Sequence, residues 1–210
     1  MIDLDARVLL ALHGDGQGAW GTLMIAATLL GEGWTALLLV PLLARPRTRR
    51  FARVLTVTVL SQAVLVWGLK LLVGRVRPWI ALGLAPVFGA PHDGSFPSGH
   101  AAGSFCVAAF LAVALPVAWS RVRAGAWAVV ALSFVVAGLI ATSRVYLAAH
   151  YPSDVLAGAL LGSVVGAIGG RRHAAAVRDA SPEADRSASA GPRWTNPAPA
   201  VGVEDTAKRG

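Results

Sequence analysis

Acidic side chains are scarce in the body of this chain. Between residues 20 and 170 only Glu32, Asp93 and Asp154 carry a carboxylate. Hydrolysis at a pair of metal ions needs a richer cluster of carboxylate ligands, so neither a metal nor a cofactor is expected. Cysteine is nearly absent too. The single Cys106 excludes an internal disulfide and a thiolate metal site, and its place inside an apolar block points to packing. Charged residues make up 14% of the 210 residues, against about a quarter in a soluble domain. The amino terminus lacks the basic start of a secretory signal, with Asp3 and Asp5 appearing early.

What fills the chain instead is apolar: 55% of it is hydrophobic, gathered in blocks. A run of roughly 18 or more such residues crosses the hydrocarbon core as a helix. The pattern predicts an all-α integral membrane bundle of about five spans, near Ala19–Ala44, Val54–Val73, Ser98–Trp119, Ala124–Thr142 and Ser153–Gly169. Residues 1–18 are too short and polar to span, and a short surface or interfacial helix is expected at Leu4–Leu12. Residues 19–170 form the membrane domain, and residues 171–210, rich in Ala, Pro, Ser and charge, read as a disordered tail. Trp20, Trp79, Trp119 and Trp127 fall near predicted span ends, where amphipathic rings favour the interface.

The net charge of +8 does not indicate nucleic acid, because its arginines lie between apolar blocks. Arg45, Arg47, Arg49, Arg50 and Arg53 mark a cytoplasmic loop, and Arg121, Arg123, Arg171 and Arg172 agree with it by alternation. The tail is then cytoplasmic, the protein lies in the cell membrane, and the loops near Arg77–Pro97 and Ser143–Ser153 face outward. Lys70, Arg75, Arg77 and Arg144 sit at outer span ends against this bias, and a bound anion is the simplest reason for them.

Three segments meet on that face: "KLLVGRVRP" (Lys70–Pro78), "PSGH" (Pro97–His100) and "SRVYLAAHYPSD" (Ser143–Asp154). Ser98 is a good helix N-cap, the freed amides of that helix start suit a phosphate, and Gly99 lets the backbone approach it. Arg144 offers a planar fork for phosphate oxygens. An Asp bonded to one nitrogen of an imidazole fixes its tautomer and frees the other. His150 and Asp154, four residues apart, therefore make His150 a candidate nucleophile and His100 a candidate general acid.

Lys70-(six residues)-Arg77-Pro78, then Pro97-Ser98-Gly99-His100, then Ser143-Arg144-(five residues)-His150-(three residues)-Asp154 resembles the three-part signature of the type 2 phosphatidic acid phosphatase superfamily, with order and spacing intact. The resemblance covers about residues 14–170. It implies an α-helical fold with the site at the extracytoplasmic span ends. It also implies a lipid phosphate substrate attacked by His150 to give a phosphohistidine, with His100 protonating the leaving group and Asp154 orienting His150. Lys70, Arg77, Ser98, Gly99 and Arg144 would hold the phosphate. Bacterial members often carry six spans, of which this reading expects five here, without the first. Polyprenyl diphosphate, phosphatidylglycerol phosphate and phosphatidic acid are all candidate substrates. A phosphotransferase acting on a lipid or sugar hydroxyl and a non-catalytic lipid-binding protein are the competing functions. No feature fixes the oligomeric state.

Several residues fall outside the signature. Arg75 reads as interfacial, His13 and His92 as loop residues, and Asp93 as a turn residue in "HDG". Glu32 has two readings: a substrate-site acid, or a structural one that pairs with Gln62 or marks a helix break at "GEG". The small-residue spacing in "LAGALLGSVVGAIGG" suits close packing within the bundle.

Overall fold

A computed structural model of the protein describes residues 3–33, 40–89, 91–118 and 122–189, with side chains to Asp179. The described residues contain eight helices and no strand: α1 (Leu4–Leu12), α2 (Gly18–Leu30), α3 (Val40–Ala44), α4 (Pro46–Val73), α5 (Pro78–Ala81), α6 (Gly99–Ala118), α7 (Arg123–Tyr146) and α8 (Pro152–Ser189). Met1 to Val177 form one compact unit. Segments α4–α5, α6, α7 and α8 are long and apolar enough to cross a bilayer, while α2 is apolar but shorter. Their outward side chains are apolar as well: on α4 Val64 is 66% exposed and on α8 Leu160 is 68% exposed. Such a surface is costly in water and suited to lipid.

The first expected span is not one helix. Helix α2 stops at Leu30, with Gly31 as its C-cap, so "GEG" does break the helix; residues 34–39 lie outside the described residues. The third and fourth spans fall close to expectation, with α7 extended by about a turn, but α4 starts at Pro46, so the basic stretch Arg45–Arg53 read as a loop is largely helical. Trp119 and Arg121 lie outside the described residues. Helix α8 does not end near Gly169 but continues to Ser189, because Arg171–Ala176 is made of good helix formers. The expected disorder therefore does not begin at Arg171, and residues 190–210 lie outside the described residues.

Helix α1 forms over the expected residues, capped by Asp3, whose side chain accepts from the Ala6 amide at 2.8 Å. One face of it is buried. Ala6 and Leu9 join Ala101, Ala141, Val145, Ala148, Tyr151 and Val155 in a cluster at the site end of the bundle. A second cluster, of Leu55, Phe110 and Ala114, sits farther along the helices.

Helices α6 and α8 touch backbone to backbone. A Cβ placed on Gly158, Gly162 or Gly166 would fall 2.4, 2.0 and 2.1 Å from the carbonyl oxygens of Ser98, Ala102 and Cys106. Glycine at every fourth position of α8 thus provides a groove for α6. The contact fixes the start of α6, which carries Ser98–His100, against the start of α8, which carries Asp154.

Candidate active site

Four helix ends meet here. Helix α4 closes on Gly74 in the left-handed conformation (φ 58°), whose amide returns to the Lys70 carbonyl, a glycine-favoured stop. The turn brings Arg75 and Arg77 back towards Lys70. Helix α7 ends past Arg144, whose carbonyl accepts from the amides of Ala149 and His150 at 3.0 and 3.1 Å. Ala148 in that turn takes a positive φ of 50°, rarely adopted by a residue with a Cβ. Helix α8 then starts with Pro152 at its first position, favoured there because its missing N–H would be unpaired anyway. The Asp154 carboxylate reaches back to accept from the Tyr151 amide at 2.9 Å, half of a capping box.

His150 is fully buried. Its Nδ1 lies 2.6 Å from the Ser95 carbonyl oxygen. A carbonyl only accepts, so Nδ1 carries the proton and Nε2 is left with its lone pair. Nε2 faces Arg77 Nη1 at 3.3 Å. Burial first, then the positive charges of Arg144, Arg77 and Lys70, hold His150 well below the ordinary histidine range, so it is a neutral imidazole at neutral pH.

Asp154 does not bond His150 directly. Its Oδ2 is 3.9 Å from Nδ1, beyond hydrogen-bonding range. It accepts instead from the Ser95 hydroxyl at 2.5 Å and, through Oδ1, from Arg75 Nη1 at 2.6 Å. Ser95 therefore links the acid to the imidazole, its hydroxyl facing one and its carbonyl the other. Arg75, read from the sequence as interfacial, is bound into this network. It also donates to Ser153 Oγ at 2.7 Å and to Asp5 Oδ2 at 2.7 Å, and its guanidinium lies 4.1 Å from the centre of the Tyr151 ring. Asp5 further accepts from the Ser153 amide at 3.0 Å and from the Ser153 hydroxyl, so α1 is fastened to the start of α8.

The expected phosphate ligands are brought together. Arg77, only 3% exposed, donates from Nη1 to the Ala149 carbonyl at 2.8 Å and from Nε to the Asp93 carbonyl at 2.9 Å. Its Nη2 pairs with Asp93 Oδ1 at 2.6 Å, and Lys70 Nζ pairs with Asp93 Oδ2 at 2.6 Å. Asp93 is thus a bridge between two cations and not a simple turn residue. Burial pushes its carboxyl up, but hydrogen bonds from Lys70 and Arg77 outweigh this and hold it below the usual carboxylate range. The Ser98 amide donates to the Asp154 carbonyl at 3.0 Å, tying "PSGH" to α8. A Cβ on Gly99 would meet only Val66, at 3.7 Å, so packing alone does not demand glycine there. Arg144 is buried and donates to Thr28 Oγ1. Among the described residues its Nε and His100 Nε2 are buried without a hydrogen-bond partner; a phosphate oxygen would satisfy the first, and the second when that nitrogen carries a proton. Glu32 Oε1 stands 3.4 Å from His100 Nε2, within electrostatic reach though not hydrogen-bonded. "GEG" therefore both breaks the helix and sets an acid beside the candidate general acid. His92 stacks edge-on against Trp79, and His13 Nδ1 contacts the Tyr146 carbonyl oxygen at 2.9 Å.

Sequence reading missed Ser95, Arg75, Asp5 and Thr28, and misassigned Asp93. Ser95 and Asp93 lie within seven residues of His100, so their nearness was available as a signal. Asp5 meets Ser153 across 148 residues, for which no local pattern exists.

Residues 51–176 match the family model of the PAP2 superfamily. The chain is 34% identical over 149 residues to the decaprenylphosphoryl-5-phosphoribose phosphatase of Mycobacterium tuberculosis, covering 68% of this chain and 75% of that one. Among solved structures it is similar to the transmembrane PAP2-type phosphatidylglycerolphosphate phosphatase of Bacillus subtilis, with TM-score 0.65, 26% identity and coverage of 79% and 80% of the two chains. It is also similar to Aquifex aeolicus LpxE, with TM-score 0.66, 26% identity and coverage of 80% and 95%. The all-helical bundle, the family match across most of its membrane helices and these relatives agree: the chain is a multi-pass membrane protein belonging to the PAP2 superfamily of lipid phosphatases.

Proposed function

We propose that the protein hydrolyses lipid phosphate or diphosphate monoesters at the extracytoplasmic surface through a phosphohistidine. One observation carries this reading: His150 is buried, neutral and held by the Ser95 carbonyl so that its Nε2 lone pair faces the cation cradle. Nε2 attacks phosphorus, and the bond to the leaving oxygen breaks as His100 delivers a proton to it. Lys70, Arg77, Arg144, the Ser98 hydroxyl and the Gly99 amide take up the charge that builds on the phosphoryl oxygens. Water then attacks the phosphohistidine, losing its proton to His100, and inorganic phosphate departs. Asp154 orients His150 through Ser95.

Sidedness follows from charge. Lys70, Arg144 and Asp154 lie at one end of the helices, and the Arg45–Arg53 segment lies at the other end of α4. The positive-inside bias assigns that basic end to the cytoplasm. The substrate is a polyprenyl phosphate ester in the first instance, supported by the mycobacterial relative, whose name states a decaprenylphosphoryl substrate.

The test is phosphate release from a panel of lipid phosphates in detergent micelles, with wild type compared against His150→Ala. Wild type should release phosphate with or without EDTA, and the variant should not while remaining monodisperse. Label retained by wild-type protein in an acid-labile, base-stable bond would mark the phosphohistidine. Label transferred into a lipid hydroxyl in place of water would make the protein a phosphotransferase. Equal release by both proteins would remove His150 from the reaction.

A further inference from the structure

Asp93 belongs to none of the three motifs, yet its carboxylate bridges two of the expected phosphate ligands, Lys70 and Arg77. Each of its oxygens takes a different cation at 2.6 Å: Oδ1 takes Arg77 Nη2 and Oδ2 takes Lys70 Nζ. Two oxygens of a phosphoryl group would engage the same two donors in the same way. Among the described residues, the remaining acceptors of Lys70 and Arg77 are main-chain carbonyls, those of Gly94, Asp93 and Ala149, and the ring nitrogen of His150. The carbonyls are fixed by the fold, and the His150 ring is fully buried. The Asp93 side chain is the one acceptor among them that a rotamer change can withdraw, and it is 55% exposed while the side chains of Lys70 and Arg77 are 12% and 4% exposed.

We infer that Asp93 is an internal anion that fills the phosphate cradle at rest and must be displaced for a phosphoryl group to bind, so that it sets the affinity of the site for phosphate. The inference rests on the phosphatase reading of the same site and adds a competing ligand to it. Displacement exchanges one carboxylate for a phosphate that carries more charge and a third oxygen for Arg144. A dianionic phosphate monoester therefore wins the cradle, while a weakly charged group does not. The resting carboxylate also keeps buried Arg77 and half-buried Lys70 paired, which matters because an unpaired buried charge is costly.

Asp93→Asn and Asp93→Ser in the full-length, detergent-solubilised protein provide the test. Binding of inorganic phosphate is followed by calorimetry, and turnover is followed with a lipid phosphate in mixed micelles. Both variants should bind inorganic phosphate about tenfold more tightly than wild type and show a lower KM, without a gain in kcat. Unchanged or weaker phosphate binding, with a fall in kcat/KM, would overturn the inference and make Asp93 a residue that orders Lys70 and Arg77. The two claims separate cleanly. Tighter phosphate binding by the variants of a wild-type protein that turns over no lipid phosphate would uphold the competing anion and refute the phosphatase. Active wild type with no gain in the variants would do the reverse.

Discussion

Asp154 reaches His150 through Ser95: the serine hydroxyl donates to the carboxylate at 2.5 Å, and the serine carbonyl accepts from Nδ1 at 2.6 Å. In the proposed mechanism the acid would act on the imidazole by holding a loop in place. Ser95→Ala should lower kcat several-fold with KM little changed, and Asp154→Asn should lower it more. The double variant should cost no more than Asp154→Asn alone, because both remove one connected path. Additive losses in a double-mutant cycle would mean that Asp154 acts on His150 independently.

Arg75 joins Asp154, Ser153 and Asp5 in one network. Arg75→Ala leaves the buried Asp154 short of a charged donor and should cost about 2 kcal/mol of stability, read as a lower thermal midpoint in detergent. Arg75→Lys keeps the charge but loses the fork, so it should recover part of the midpoint and less of the kcat.

Stability should depend on pH through His150. Unfolded, this residue takes a proton near the ordinary value of about 6.5; folded, it resists protonation to well below that. The unfolded state then binds more protons on the acid side, and stability falls as pH drops below about 6.5, by up to about 1.4 kcal/mol per pH unit from this group. A His150→Gln variant, compared by thermal melts between neutrality and mild acid, should show a flatter slope. An identical slope would assign the acid sensitivity elsewhere.

Glu32 stands beside His100, where its carboxylate favours a proton on the imidazole. Glu32→Gln should reduce kcat with little effect on KM, and the reduction should be greatest for substrates with poor leaving groups. Unchanged kinetics at normal protein levels would return Glu32 to a structural role.

The α6–α8 contact predicts a position-specific sensitivity to one methyl group. A Cβ at Gly162 would fall 2.0 Å from the Ala102 carbonyl oxygen, whereas a Cβ at Gly138 meets nothing within 4 Å. Gly162→Ala should lose about 1–3 kcal/mol and activity with it, and Gly138→Ala should behave as wild type in both melting and turnover.

The membrane helices were legible because apolar blocks of spanning length have few other uses, and α1, α6 and α7 follow the sequence closely, while α4 takes in the basic stretch before its apolar block. The break after Leu30 was harder to see, since "GEG" is compatible with either a kink or an end. The motif residues were legible because their spacing is local: Lys70 to Arg77, Ser98 to His100, Arg144 to Asp154. What connects the motifs was not. Ser95 acts through its main-chain carbonyl, which no residue type encodes, and Arg75 finds its partners 70 and 79 positions away. Asp93 was misread because a turn residue and a counter-ion look alike until the fold closes over them.

The glycine face of α8 has one more consequence. Where two helices meet main chain to main chain, no side chain is available to lengthen or trim between them, so the spacing of their leading ends is inherited from backbone geometry alone. Drift in amino acids elsewhere can then reshape the walls that meet a lipid tail while the reacting corner keeps its dimensions. A protein built this way is free to change what it accepts without relearning how to cleave it.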